Sequence, residues 1–295
     1  MSISSRARRG PDPFLGVDPP ADPSTARSVI VPVPFERTVS YGRGTNRGPA
    51  AVLTASQQVE LWDEELEREP ADHGVLTTPA IEPGAFDLSA ALDEIENRLH
   101  DEMSDERFVV AVGGEHSLSI AAIRAAHARF GDIGVVQFDA HADLRASYEG
   151  TELSHACVMR RVIDDLGLAT AAVGIRSLSG PEAELIRDRD LGVLWARDLD
   201  DRPLERFTEL LDALPRRVFL TFDVDYFDPA LLPATGTPEP GGGRWWPTLR
   251  LLRHLFAVKE VVAMDVVELA PIPGQPASDF ITARLIYKCL GWRWP

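Results

Sequence analysis

Apolar positions fall into two recurring patterns along this chain. Short runs rich in Val, Ile and Phe occur at Val29 to Val33, Phe108 to Val112, Ile133 to Phe138, Ala171 to Ile175, Gly192 to Trp195, Val218 to Phe222 and Val261 to Val267. Several are apolar without alternation, as strands covered on both faces are. Between them, apolar residues at helical spacing predict helices over Pro49 to Gln58, Leu88 to Asp101, Ser117 to Arg129, Glu182 to Arg189, Pro203 to Ala213, Thr248 to Ala257 and Ser278 to Leu290. Asp87, or else Ser89, can cap the second of these, since either side chain can accept from a first-turn amide. Strand and helix alternating in this way predict an α/β fold, a three-layer αβα arrangement around a central parallel β-sheet. No repeat of fixed period suggests a solenoid.

The first 27 residues break both patterns. They are rich in Pro, Arg, Ser and Asp, and read as a flexible N-terminal arm preceding a single domain over 28–295. Arg6, Arg8 and Arg9 in that arm read as a solvated tail.

Composition narrows the partners. The chain has 295 residues, 44% hydrophobic and 26% charged, with a formal net charge of -16. Such an acidic surface repels nucleic acid and anionic membranes and tolerates a small cation. Cys157 and Cys289 are the only cysteines, in no metal-type spacing, so a disulfide framework is not expected and a cytoplasmic location is. No apolar run has the length of a membrane span.

Chemistry-bearing residues cluster at strand ends. Gly113-Gly114-Glu115-His116-Ser117 follows one predicted strand and Asp139-Ala140-His141-Ala142-Asp143 the next. Asp223-Val224-Asp225 and Glu268 follow two more. In an open parallel sheet, loops beyond the carboxyl ends of the strands share one edge, where ligands bind. Asp139, His141 and Asp143 alternate, as do Asp223 and Asp225, so extended backbone turns each set to one side. With His116 they supply four carboxylates and two imidazoles. This mostly hard donor set suits manganese or another first-row divalent ion, in a number fit for two ions. A single aspartate at a strand end is usually a turn or helix cap. So many anions at one edge without a cation would repel each other and be costly to desolvate.

The motifs GGEHS at Gly113, DAHAD at Asp139, FDVDYFDP at Phe222, TGTPEPGG at Thr235 and DVVELAP at Asp265 resemble, in order, those of the arginase and agmatinase family of ureohydrolases. The resemblance covers the chain beyond the N-terminal arm. It implies two Mn2+ ions per subunit: one held by His116, Asp139, Asp143 and Asp223, the other by Asp139, His141, Asp223 and Asp225, with Asp139 and Asp223 bridging. It further implies that Asp143 orients the attacking water, Glu268 pairs with the guanidinium and His155 passes a proton toward the departing amine. A trimer or hexamer of identical chains is the assembly it implies. Glu115, Thr221 and Ala234 stand where Asp, Ser and Gly are common in the family, and none of these differences removes a ligand.

For substrate, the segment Arg145 to Leu153 lacks the serine- and asparagine-rich character that grips the α-carboxylate and α-amino groups in arginases. Its Glu149 and Glu152 suit an amine tail. Val39 to Thr45 and Ala55 to Glu65 are similar to bacterial and archaeal agmatinase-type members. The expected reaction is agmatine to putrescine and urea. N1-aminopropylagmatine to spermidine and urea is the alternative, as is another guanidino compound such as guanidinobutanoate. Two rival readings stand beside it: covalent attack by Cys157, two residues from His155, and a binding subunit with a decayed metal site.

Overall fold

The computed structural model describes residues 13–17, 21–84 and 87–295. Eight strands form one sheet: β1 (Ser28–Val33), β2 (Val75–Thr77), β3 (Phe108–Gly113), β4 (Gly134–Phe138), β5 (Thr170–Ile175), β6 (Gly192–Trp195), β7 (Arg217–Asp223) and β8 (Glu260–Val267). Their spatial order is β2-β1-β3-β8-β7-β4-β5-β6, and every pairing is parallel. The helices are α1 (Gly48–Ser56), α2 (Leu88–Glu102), α3 (Leu118–Phe130), α4 (Val158–Asp164), α5 (Gly180–Asp188), α6 (Pro203–Asp212), α7 (Trp245–Val258) and α8 (Ala277–Arg293).

Two hydrophobic cores flank the sheet. One joins it to α1, α6, α7 and α8, through Val52, Leu211, Leu252 and Ile286 among others. The other joins it to α2, α3, α4 and α5, through Leu92, Ile123, Val162 and Ile186. This is the expected three-layer αβα arrangement. β1 and β3 are buried at every residue, which is why their sequences show no alternation.

All seven expected strands and all seven expected helices form, with ends shifted by a few residues. Asp87 is the cap of α2, its carboxylate accepting from the Ala90 amide at 2.9 Å, while Ser89 lies inside the first turn. α5 starts at Gly180 rather than Glu182, because Glu182 closes a capping box, accepting from the Ser179 amide at 2.6 Å. The sequence pattern misses β2 and α4. The first is three half-buried residues at the sheet edge and the second a seven-residue helix, both too short for a periodic signal.

The reading of residues 1–27 as an arm outside the core needs correction at Phe14 and Leu15. Both are buried in the core beside α1, and the Leu15 amide donates to Ser56 Oγ at 2.9 Å. Two apolar residues are too few to show periodicity, yet enough to dock. Arg6, Arg8 and Arg9 lie outside the described residues. Among the described residues no helix is long and apolar enough to cross a membrane. Trp292 and Trp294 are buried and cap the core.

Helix α8 is buried on most of its length and carries Lys288, 1% exposed. Its ammonium lies 3.0 Å from Asp63 Oδ2, 3.1 Å from Glu64 and 3.3 Å from Glu65, tying the loop after α1 to α8. Asp63 is itself fully buried; without the lysine it keeps the Glu65 and Leu66 amides and the Arg284 guanidinium 4.0 Å away, but loses its nearest charge. Lys288→Ala is therefore expected to lose about 3–5 kcal/mol of stability in urea melts, a cost typical of breaking a buried pair; a loss under about 1 kcal/mol would show that water reaches the site.

Candidate metal centre

The four motif-bearing strands, β3, β8, β7 and β4, are immediate neighbours at the centre of the sheet. Register aligns their ends, with Val112 paired to Val266, Phe222 to Val266 and Phe138 to Phe222. The next rung therefore carries Gly113, Asp139, Asp223 and Val267, and Glu268 follows one residue on. Strands about 4.8 Å apart place these side chains within reach of one another.

His116, from the turn entering α3, sits amid three carboxylates. Its Nδ1 lies 2.9 Å from Asp143 Oδ2, 3.2 Å from Asp139 Oδ2 and 3.5 Å from Asp223 Oδ2. His141 Nδ1 lies 2.9 Å from Asp225 Oδ2 and 3.7 Å from Asp139 Oδ1. Two ligand groups result, His116 with Asp139 and Asp223, and Asp139 with His141 and Asp225, sharing Asp139. The six residues expected from the sequence are thus brought together, five of them buried and His141 half-buried.

Several groups outside that set fix the ligands. Thr221, on β7, donates its hydroxyl proton to Asp265 Oδ1 at 2.7 Å, so its oxygen is left to accept from His116 Nε2 at 2.8 Å. That assigns the ring proton to Nε2 and turns the Nδ1 lone pair toward the carboxylates. Nδ1 is buried and has no hydrogen-bond partner among the described residues. In the neutral ring this nitrogen turns a lone pair toward three carboxylate oxygens, a misfit for hydrogen bonding that suits a cation; burial alone would lower the ring's pKa, but without a cation Asp139 and Asp143 hold it well above its usual value. Gln137 donates to Asp139 Oδ2 at 2.8 Å, and the Ala140 and His141 amides hold Asp225 and Asp139. Arg176 braces the turn after β7 through the Asp225 carbonyl at 2.8 Å. Gln137, Arg176 and the roles of Thr221 and Asp265 were missed by motif reading. A polar residue inside an apolar strand run was the available signal for Gln137 and Thr221.

Electrostatics show the same crowding. Burial, with Asp139 adding repulsion, raises the Asp143 carboxyl to about 6. Burial and the neighbouring carboxylates raise Asp223 well above the usual range. Burial would raise Asp139 too, but the His116 and His141 rings beside it, when protonated, outweigh burial and hold its carboxyl below the usual range. Burial alone would lower His141, yet Asp225 and Asp139 push it up to about 12. Fixed donors offset part of this negative charge and protonation the rest, and divalent cations would relieve it without protons. Asp143 and Glu268 also hold left-handed backbone, φ 52° and 66°, a strain of about 1–3 kcal/mol each that rigid surroundings must sustain.

Glu268 is buried, and its Oε1 accepts from the His116 amide at 2.6 Å. Burial raises its carboxyl to about 8. His155 opens the 3-10 turn before α4, and Thr38 Oγ1 lies 3.2 Å from its Nδ1. Glu115 anchors that threonine, accepting from the Arg37 and Thr38 amides at 2.6 Å each and from Thr38 Oγ1 at 2.9 Å. Glu268, His155, His116, His141, Asp143, Asp223 and Asp225 line one cavity of about 310 Å3, walled also by Tyr41, Arg145, Tyr148 and Glu239. Glu149 and Glu152, expected to face an amine tail, do not line it. Both are exposed, and Glu152 pairs outward with Arg161 at 3.4 Å. Burial raises the Cys157 thiol to about 11, which leaves little thiolate for covalent attack.

Fold and site together define an open parallel-sheet protein with a carboxylate- and imidazole-lined cavity suited to a pair of divalent cations. Residues 26–291 match the sequence model of the Arginase family, and the chain belongs to that family. It is 41% identical to the N(1)-aminopropylagmatine ureohydrolase of Synechocystis sp., over 99% of this chain and 97% of that one. It is 31% identical to the agmatinase of Pyrococcus horikoshii, over 92% and 94%. The crystal structure of agmatine ureohydrolase of Thermoplasma volcanium superimposes with a TM-score of 0.84 at 31% identity, covering 92% of this chain and 91% of that one. The chain is accordingly a ureohydrolase, a hydrolase of C–N bonds in linear amidines.

The hydroxyl bridge makes a test of the metal fit. Thr221→Val strands the His116 Nε2 proton in a buried site, and Mn2+ affinity measured by calorimetry is expected to fall ~10–100-fold, with Thr221→Ser restoring it. Unchanged affinity in the valine variant would remove the bridge from the account.

Proposed function

We propose that this chain hydrolyses N1-aminopropylagmatine to spermidine and urea with two Mn2+ ions per subunit. The observation that carries the reading is the meeting of Glu268 and His155 in one cavity with members of both ligand groups, His116 and Asp223 from one and His141 and Asp225 from the other. Agmatine, the substrate expected first from the sequence, becomes the second choice, because the Synechocystis relative, at 41% identity, bears the longer substrate's name and the Pyrococcus agmatinase stands at 31%.

In this reading His116, Asp139, Asp143 and Asp223 hold one ion, and Asp139, His141, Asp223 and Asp225 the other. Bound there, the ions supply Lewis-acid charge and acidify water. Glu268 accepts the planar N–H pair of the guanidinium. Burial raises its carboxyl, and a guanidinium beside it would favour the ionised form that accepts this pair. Asp143, beside His116, orients the attacking water toward the guanidinium carbon. As the water oxygen bonds to the guanidinium carbon, its proton passes through His155 to the departing amine nitrogen, the C–N bond breaks, and urea and the polyamine are released. Burial lowers the His155 pKa, which favours the neutral ring able to relay protons. The active species is proposed to be a trimer or hexamer.

One observation favours a second reading. The Arg145 guanidinium lines the cavity, lying over the Tyr148 ring at 5.1 Å, and would suit a carboxylate tail such as that of 4-guanidinobutanoate.

Urea release from N1-aminopropylagmatine, agmatine, arginine and 4-guanidinobutanoate, with Mn2+ and with chelator, separates these readings. The expected result is chelator-sensitive turnover highest on N1-aminopropylagmatine; a preference for 4-guanidinobutanoate would transfer the function to the second reading. Glu268→Gln is expected to lower kcat/KM by about 100-fold, the effect of losing a charge-assisted pair in a buried site. A change of less than threefold would remove Glu268 from guanidinium binding.

A further inference from the structure

Glu149 and Glu152 face away from the cavity, so another group must meet the cationic tail if the substrate is an amine. Of the carboxylates lining the cavity, Asp143, Asp223 and Asp225 belong to the ligand groups and Glu268 is held by the His116 amide. Glu182 is consumed in its capping box and by the Leu144 amide at 3.0 Å. Glu239 remains. It is half-buried, and among the described residues its carboxylate has no hydrogen bond or ion pair.

Its backbone is not free. The Glu239 carbonyl accepts from Arg176 Nη2 at 2.7 Å and Nε at 3.2 Å, and the same Nη2 donates to the Asp225 carbonyl at 2.8 Å. One planar guanidinium therefore sets Glu239 relative to the Asp225 turn. At the other end of its loop, the Gly42 amide donates to the Gly236 carbonyl at 3.2 Å. A Cβ on Gly42 would sit 2.7 Å from that oxygen, so the two rim loops touch through bare backbone.

Reach sets which nitrogen Glu239 can meet. A Cβ built on Gly236 would lie 3.9 Å from Glu268 Oε2, so Gly236 flanks the guanidinium-binding end. Three residues further on, Glu239 lies at most ~10 Å along the wall. In both amine substrates the first tail nitrogen stands roughly 7 Å from the guanidinium carbon, at bond lengths near 1.5 Å. That nitrogen is the primary amine of agmatine and the secondary amine of N1-aminopropylagmatine.

We propose that Glu239 is a specificity-determining residue, whose carboxylate pairs with the first tail ammonium of the substrate and selects amine-tailed guanidines against neutral and carboxylate-tailed ones. The inference rests on the polyamine reading of the site. Arg145 occupies the same cavity with the opposite sign, so Glu239 also offsets its repulsion of an ammonium.

The test compares Glu239→Gln with wild type on Mn2+-loaded enzyme, using N1-aminopropylagmatine, agmatine, butylguanidine and 4-guanidinobutanoate. Both amines are expected to show a KM about tenfold higher with kcat within twofold, and kcat/KM should fall at least fivefold more for them than for butylguanidine. Glu239→Lys should go further and reverse the order of agmatine and 4-guanidinobutanoate. Equal losses on butylguanidine and the amines would overturn the proposal in favour of a merely structural role. A loss confined to N1-aminopropylagmatine would overturn it by placing Glu239 at the outer ammonium. Wild-type enzyme that releases urea from neither amine would instead overturn the substrate reading itself, before any variant is compared.

Discussion

Mutual repulsion among buried carboxylates at the centre of one sheet edge is the constraint on which the rest of this structure depends. Asp139, Asp143, Asp223 and Asp225 are all buried within reach of two imidazoles. Desolvating such a group costs several kcal/mol per charge unless it is paired or hydrogen-bonded. The fold meets part of that cost with fixed dipoles. Amides of Ala140, His141 and Asp225 point at carboxylate oxygens, and the Gln137 side chain donates to Asp139. What remains uncompensated is the orphaned His116 nitrogen and the raised Asp223 and Asp143 carboxyls, a deficit that divalent cations would fill.

A site of this kind is useful only if it does not relax. The Asp265, Thr221 and His116 bridge fixes a tautomer as well as a position. Arg176 gathers the carbonyls of Gly174, Asp225 and Glu239, coupling the ligand turn to the cavity rim. Gly174 makes room for this packing: its φ is +93°, and a Cβ there would lie 2.4 Å from the Tyr226 ring. Left-handed backbone at Asp143 and Glu268 is held by the same surroundings. Strain concentrated where side chains must be aimed is a common feature of functional sites, and here it coincides with residues that line the cavity.

Glu115 shows how the outer wall is tied to this centre. Fully buried beside His116, it gathers the Arg37 and Thr38 amides and the Thr38 hydroxyl, and that hydroxyl also accepts from the His155 amide at 3.0 Å. The loop through Tyr41 and the turn carrying His155 are thus anchored to the element that supplies His116. Cavity shape and ligand position are set by one hydrogen-bonded unit, so a change in the wall is felt at the metal centre.

The sequence by itself determined the layer order, seven of the eight strands and the six clustered ligand-type residues. Strand periodicity and strand-end motifs are local, and a parallel sheet places all carboxyl ends at one edge. It could not show that β3, β8, β7 and β4 are neighbours, since that order depends on pairings between strands far apart in the chain, such as Val109 with Ala263 and Gly134 with Val218. Nor could it show that Phe14 and Leu15 dock in the core, that Glu152 turns outward to Arg161, or that Glu239 lines the cavity with no partner for its carboxylate among the described residues. Which way a loop side chain points is decided by contacts distant in sequence, here the grip of Arg176 on a carbonyl 63 residues away, and only the tertiary structure carries those.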